Sequence, residues 1–322
     1  MPNQNQQLTV SMYHYTRELQ YSRYPQIKGM DLASFRKQLS FFKENFNVVR
    51  MEEVIEAIKG KYTLPEKALL LTFDDGYVDN YTYALPLLEE YGFQGSFFIP
   101  GKPVEEHCLL DVNKIHLILA VANVDSLLND LLEKLDYYRG TEYDFPSNDE
   151  LINEFAHANS WDTKEVIFIK RVLQTALPEK LRGIISSELF AKYLDVSEEI
   201  MARDLYLTRD QIRTLKRHGM HIGIHGYSHM WLGRASNEIA QNDIKKALEV
   251  MDEFTNHDEW TMNYPYGSYN ENVLEFVKKN GAIAGFTTER GIATIGGKLD
   301  LQIKRYDCND FPPKSQAFEF MA

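Results

Sequence analysis

Residues 68–77 read ALLLTFDDGY. The apolar run of Leu69, Leu70, Leu71 and Phe73 is too short for a typical helix and has no polar face. That is the pattern of a strand buried on both sides in a parallel sheet. It stops at two adjacent carboxylates, Asp74 and Asp75, followed by Gly76. Asp-Gly is a turn signal, and a helix N-cap at Asp75 would account for charge here without any chemistry. The competing reading is that the strand tip delivers two carboxylates to a site, and the rest of the chain decides between them.

Outward from this run, β-rich stretches recur at 8–15, 46–50, 95–99, 220–224, 260–264, 282–287 and 301–306. Helix-like segments with readable ends lie between them. Asp31 is a candidate N-cap ahead of LASFRKQLSFFKEN, and Thr208 opens TRDQIRTLKRH before Gly219 stops it. Strand then helix, repeated, predicts an α/β fold, either a (β/α) barrel or an open doubly wound sheet. All 322 residues are expected to form one domain, interrupted at about 102–207 by a mainly helical insertion. There the apolar residues follow a helical period in IHLILAVANVDSLLNDLLEKL and IKRVLQTAL, on either side of the turn-rich RGTEYDFPSNDE. The insertion reads as a cap over the barrel mouth, as a dimerisation surface that would make a homo-oligomer, or as structural padding.

Composition narrows the function classes. Apolar residues at 44% and charged residues at 25% are those of a globular chain and exclude a disordered one. The net charge of −12 repels phosphate backbones and anionic surfaces, so nucleic acid is not an expected partner. Cys108 and Cys308 form neither a disulfide framework nor a thiolate zinc site and read as two ordinary thiols. No stretch of 18 apolar residues suggests a transmembrane segment, and the polar start lacks the pattern of a signal peptide, so a cytoplasmic location is expected.

The run ending at 224 is followed by HGYSH, residues 225–229. Four-residue spacing lets His225 and His229 converge on one metal ion, although paired histidines also cap turns. Two imidazoles and one carboxylate form a facial set suited to zinc or another divalent first-row ion, and a spare carboxylate beside bound water is what metal-assisted hydrolysis needs as a base. Other polar residues sit at run ends: His14, Asn263 to Gly267 in NYPYG, Thr287 with Thr288, and Arg305 with Asp307. In a parallel barrel the C-terminal strand ends share one face, which would gather these residues round one pocket. Taken singly, each also has an ordinary role, NYPYG as a turn and Arg305–Asp307 as an ion pair.

TFDDGY at 72–77, HGYSH at 225–229 and YPYG at 264–267 together resemble the motifs of the polysaccharide deacetylase family, carbohydrate esterase family four. The resemblance spans roughly 8–101 and 208–310. It implies a distorted (β/α) barrel and hydrolysis of an N-acetyl group on a sugar, with Asp74 as the general base and Asp75, His225 and His229 as metal ligands. It also implies that the backbone N–H of Tyr266, within the Pro265–Tyr266 turn, helps to stabilise the oxyanion. Two departures stand out. The family's third motif often begins with an arginine that braces the base, whereas this chain has Asn263, and Arg305 is the candidate substitute. A catalytic histidine often lies near the C-terminus, but His257 is the last one here. Some members carry it near the N-terminus, where His14 fits as the acid that protonates the leaving amine, with Asp307 as its rival or its brace.

Trp231, two residues after His229, reads either as a platform for a sugar face or as packing beneath the metal loop. His116 reads as a core or interface histidine, and His218 and His221 lie away from the rim. The function expected from all this is metal-dependent N-deacetylation of a sugar or glycan precursor, with zinc the expected ion. A metal-dependent amidase on a non-sugar substrate and a non-catalytic carbohydrate-binding relic are the alternatives. A glycosidase is disfavoured, because adjacent carboxylates on one turn cannot easily flank a glycosidic bond.

Overall fold

The computed structural model describes residues 6–158 and 162–315. The chain divides into two compact units: Met1–Glu18 with Gly29–His107 and Leu205–Ala322, and Leu19–Lys28 with Cys108–Asp204.

The first unit is built on a nine-stranded sheet: β1 Gln6–Tyr13, β2 Asn47–Val48, β3 Ala68–Phe73, β4 Gly95–Ile99, β5 His221–Ile224, β6 Trp260–Asn263, β7 Ala282–Phe286, β8 Ala293–Ile295 and β9 Tyr306–Asp307. The order is β8-β1-β3-β4-β5-β6-β7, with β9 alongside β1 and β2 alongside β3. Neighbours run parallel, except that β8 lies antiparallel on β1 through Gln6↔Ile295 to Leu8↔Ala293. Beyond β7 a single bridge, Phe286↔Ile303, leads towards the last segment, so the (β/α) barrel is distorted and incompletely laddered.

Most of the expected strands are present with ends moved by at most two residues, and the main departures are at β8 and β9. A three-residue strand between Gly291 and Gly296 is too short to show a period, so β8 was not foreseen. The run at 301–306 is not one strand: it bridges at Ile303, and pairing with β1 begins only at Tyr306↔Ser11. Arg305 therefore precedes β9 instead of following a strand, and its side chain is buried.

Every residue of β3 is buried, as its unbroken apolar run requires. Alternate side chains serve the two faces. Leu69, Leu71 and Phe73 join the cluster that includes Phe35, Leu39 and Phe42, whereas Ala68 and Leu70 join Leu8, Val10 and Phe286. The helix Leu32–Asn45 supplies Phe35, Leu39 and Phe42 at helical spacing, and Asp31 caps it by accepting from the N–H of Ala33 at 3.0 Å. Thr208 and Gln211 form a capping box on the helix Arg209–Arg217, and Gly219 leaves it in the left-handed region at φ 76°.

The second unit is helical, with helices that include Asp111–Val121, Val124–Tyr138, Asn148–Phe155, Lys164–Arg171 and Glu179–Tyr193. Leu117, Ile118, Leu127, Leu131, Leu135, Phe168, Ile185 and Leu189 are among its buried residues. His116 is half-buried and lines a cavity of about 240 Å³ with Leu119, Ala120, Val124 and Val166. Among the described residues, no helix is long and apolar enough to cross a membrane.

Candidate active site and metal centre

Strand ends of the first unit present the motif residues. Asp74 and Asp75 follow β3, His225 follows β5, and Pro265 and Tyr266 follow β6 by way of Tyr264. Five non-glycine residues are in the positive-φ region among those described, and three of them are here: Asp75 at 71°, His229 at 57° and Tyr266 at 58°. Backbone strain of that kind concentrates where side chains or amides must be aimed.

Asp75, His225 and His229 are all buried and can offer ligand atoms within 4.8 Å of one another. Their shared focus is Asp75 Oδ1, 3.3 Å from His225 Nε2 and 3.1 Å from His229 Nε2. On the far side of its ring, His225 Nδ1 lies 2.8 Å from the carbonyl of Asn263. A carbonyl only accepts, so Nδ1 carries the proton, and in the neutral imidazole the Nε2 lone pair faces the carboxylate. Asp75 Oδ1 itself has no hydrogen-bond donor, while Oδ2 accepts from the Tyr77 hydroxyl at 2.6 Å. Three buried lone-pair donors aimed at one point fit a divalent cation, and N and O donors of this kind suit zinc and its first-row neighbours.

Protonation competes for that position. Burial opposes ionisation of Asp75, but the two imidazoles outweigh it and hold the carboxyl well below its ordinary value. Burial likewise works against charge on His225, yet Asp75 and Asp74 raise it, whereas burial keeps His229 below the ordinary imidazole value.

Asp74, also buried, is turned to a different partner. Arg305 Nη1 and Nη2 reach its Oδ1 and Oδ2, each at 2.9 Å, in a bidentate pair. Burial alone would raise the Asp74 pKa, but the guanidinium outweighs it and leaves the carboxyl lowered. Arg305 is held in turn by the carbonyl of Thr287 at 2.8 Å, the Thr72 hydroxyl at 3.1 Å and Asn263 Oδ1 at 2.9 Å. Asn263 thus links the two halves of the site, with its side chain on Arg305 and its carbonyl on His225. His14 Nε2 lies 3.8 Å from Asp74 Oδ2, and the ring is partly exposed.

Asp307 lies elsewhere in its bonding. Its carboxylate caps the turn Cys308–Asp310, accepting from the N–H of Asn309 at 2.8 Å and from the Asn309 amide at 2.7 Å. The Trp231 ring stacks on Tyr266 with centroids 4.5 Å apart, Arg234 lies over it at 4.7 Å, and Tyr266 meets His229 edge-on. Pro265 is buried and packs against Gly226. Sequence reasoning missed Tyr77 as a partner of Asp75, though it stands in the same motif. It also missed Asp243, whose carboxylate binds the loop between the two histidines.

The family model described as polysaccharide deacetylase matches residues 61–138 and 185–284, more than half of the chain. YxkH of Bacillus subtilis, named for the same family, is 20% identical over 229 residues, covering 71% of this chain and 47% of YxkH. The poly-beta-1,6-N-acetyl-D-glucosamine N-deacetylase of Escherichia coli is 40% identical over 60 residues, 18% of this chain and 9% of that protein. The chain therefore spans about half or less of the length of these relatives. Among solved structures, the deacetylase PplD of Streptococcus pyogenes, in complex with acetate, shares the fold with a TM-score of 0.61 at 18% identity over 98% of both chains. IcaB from Ammonifex degensii gives 0.56 at 17% identity over 97% of this chain and 96% of its own.

Proposed function

Because this chain belongs to the polysaccharide deacetylase family, we propose that it is a metal-dependent hydrolase that removes the acetyl group from an N-acetylated sugar or glycan precursor. The observation that carries the reading is the pairing of two unlike carboxylates on one turn, Asp75 facing two imidazoles and Asp74 gripped by Arg305. A divalent ion, with zinc the proposed one, would be held by Asp75, His225 and His229 and would supply Lewis-acid activation of water and of the acyl oxygen.

The remaining steps belong to the chain's own residues. Asp74 is kept ionised by Arg305 and takes a proton from the attacking water. The Tyr266 backbone N–H donates to the carbonyl oxygen as it turns negative. His14, 3.8 Å from Asp74 Oδ2, gives a proton to the amine nitrogen as the C–N bond breaks, so acetate and a free amine leave. The Trp231–Tyr266 stack forms part of the rim against which the sugar would lie.

The test is a panel of N-acetyl monosaccharides, N-acetylated oligosaccharides and nucleotide-linked N-acetyl sugars, incubated with zinc-loaded protein and followed by mass spectrometry for loss of one acetyl group. Turnover confined to non-sugar acetamides in a parallel panel would instead support the amidase reading. No turnover in either panel, with zinc bound, would overturn the enzymatic assignment.

A further inference from the structure

The loop that joins the two histidines is fastened from outside. The helix Asn237–Val250 carries Asp243, whose side chain points at the loop and is 6% exposed. Its Oδ2 accepts the N–H of Tyr227 at 2.7 Å, and its Oδ1 accepts the N–H of Ser228 at 2.9 Å and the Ser228 hydroxyl. Lys246, three residues further along the same helix, lies 3.9 Å from the centroid of the Tyr227 ring and 2.7 Å from its hydroxyl. From the helix Gly101–Glu106 that follows β4, the N–H groups of Gly101 and Lys102 reach the carbonyls of Gly226 and Tyr227 at 3.0 and 2.9 Å. Each residue between His225 and His229 is thus held by a neighbouring element.

The loop requires such support. Gly226 has φ 65° and His229 has φ 57°, so two of its five residues occupy a region that L side chains rarely adopt. A Cβ at Gly226 would lie 2.9 Å from Asp243 Oδ2, so the carboxylate also needs glycine at that position. A carboxylate accepting three donors in a buried place is worth more than neutral acceptors would be, and leaving one of those donors unmet is costly.

We propose that Asp243 is a positioning residue for the metal centre: it sets the angle at which His225 and His229 converge on Asp75 by gripping the backbone between them. The proposal rests on the reading that those three residues hold the ion. Asp243 touches neither imidazole in any of its hydrogen bonds, so its influence runs through the loop. Partners of this indirect kind commonly govern metal affinity, because they fix ligand direction before the ion arrives.

The experiment compares wild type, Asp243→Asn, Gly226→Ala and Ser228→Ala. It reads zinc affinity by competition with a chromophoric chelator, together with the unfolding temperature of the metal-free protein. Asn keeps the shape of Asp243 but turns an N–H towards one of the loop donors, so zinc affinity should fall by about 10- to 100-fold while metal-free unfolding moves little. Gly226→Ala attacks the same contact from the loop side and should give a similar loss, not additive with Asp243→Asn. Ser228→Ala leaves both backbone bonds in place and should bind close to wild type.

Wild-type zinc affinity in Asp243→Asn would overturn the proposal. If that variant fails to fold, wild-type affinity in Gly226→Ala does so instead. The underlying reading fails differently: wild-type protein that binds no zinc, or binds it equally well after His225 and His229 are both changed to alanine, takes both readings down.

Discussion

Arg305 holds Asp74 by both carboxylate oxygens, across 231 residues of sequence, while the adjacent Asp75 is left to the two imidazoles. Two neighbours of identical chemistry are thereby given different partners. The arrangement also makes Arg305 the control on the charge of Asp74.

The first expectation concerns that control. Asp74 is lowered in the folded protein, so its contribution to stability is complete above the ordinary carboxylate value and is lost as pH falls through the lower folded value. Arg305→Gln removes the cation that outweighs burial, so the acid limb of the kcat/KM profile should move to higher pH. The unpaired buried carboxylate should also cost about 3–5 kcal/mol of stability. A pH–rate profile and a denaturant titration read the two effects, and an acid limb that stays in place would detach Arg305 from Asp74 function.

Asp74→Asn should bind zinc as wild type does and turn over about 10²- to 10⁴-fold more slowly, the usual contribution of a general base. Metal content by elemental analysis and single-turnover rates separate this from loss of the ion. Near wild-type turnover would remove Asp74 from the chemistry.

The Asp75–His225–His229 centre should release its ion in acid, because protons compete for the same lone pairs. Dialysis of loaded protein against buffers of falling pH, followed by metal analysis, should show a steep loss that is absent from the double variant His225→Ala, His229→Ala, which holds none to begin with. Equal metal content in the two proteins at neutral pH would contradict the assignment.

For His14→Gln we expect metal to remain bound while kcat falls and the alkaline limb of its pH profile shifts or disappears, since that limb reports the acid in the substrate complex. Asp307→Asn should leave that limb alone, because the Asp307 carboxylate is committed to Asn309. The reverse pattern would make Asp307 the acid.

A fifth expectation lies at the other end of the barrel, where His221 opens β5 and contacts the Thr261 hydroxyl at 2.8 Å. Burial pushes its pKa down to about 4, with Lys216 assisting and Glu52 opposing. A lowered imidazole means that the unfolded chain binds the extra proton between the ordinary value of about 6.5 and the folded one. Its contribution to stability is therefore intact above that window and declines as pH falls through it. His221→Gln should flatten the unfolding temperature against pH in this range, and an unchanged slope would show that other groups govern it.

The motif residues were legible because each terminates a buried run: Asp74 after an unbroken apolar strand, His225 after another. The helices at 32–45 and 209–217 were legible through Asp31, Thr208 and Gly219, whose effects are local. Arg305 was readable as a rim residue from the end of its run, but its pairing with Asp74 only from the family resemblance, since that bond depends on the register of β9 against β1. Asp243 carried no signal, because a lone carboxylate in an amphipathic helix looks like any solvent-facing residue until the loop is folded against it. The segment Leu19–Lys28 was likewise invisible as part of the helical unit, because its partners begin at Cys108.

The left-handed backbone at Asp75, His229 and Tyr266 has an evolutionary consequence. Each such residue costs of the order of 1–3 kcal/mol that glycine would largely avoid. Relaxing the fold and keeping the site therefore pull in opposite directions at Asp75 and His229, whose side chains glycine would remove. Selection for robustness alone would favour glycine at those two motif positions, so a relaxed descendant of this chain would lose the Asp75 and His229 side chains while keeping its barrel.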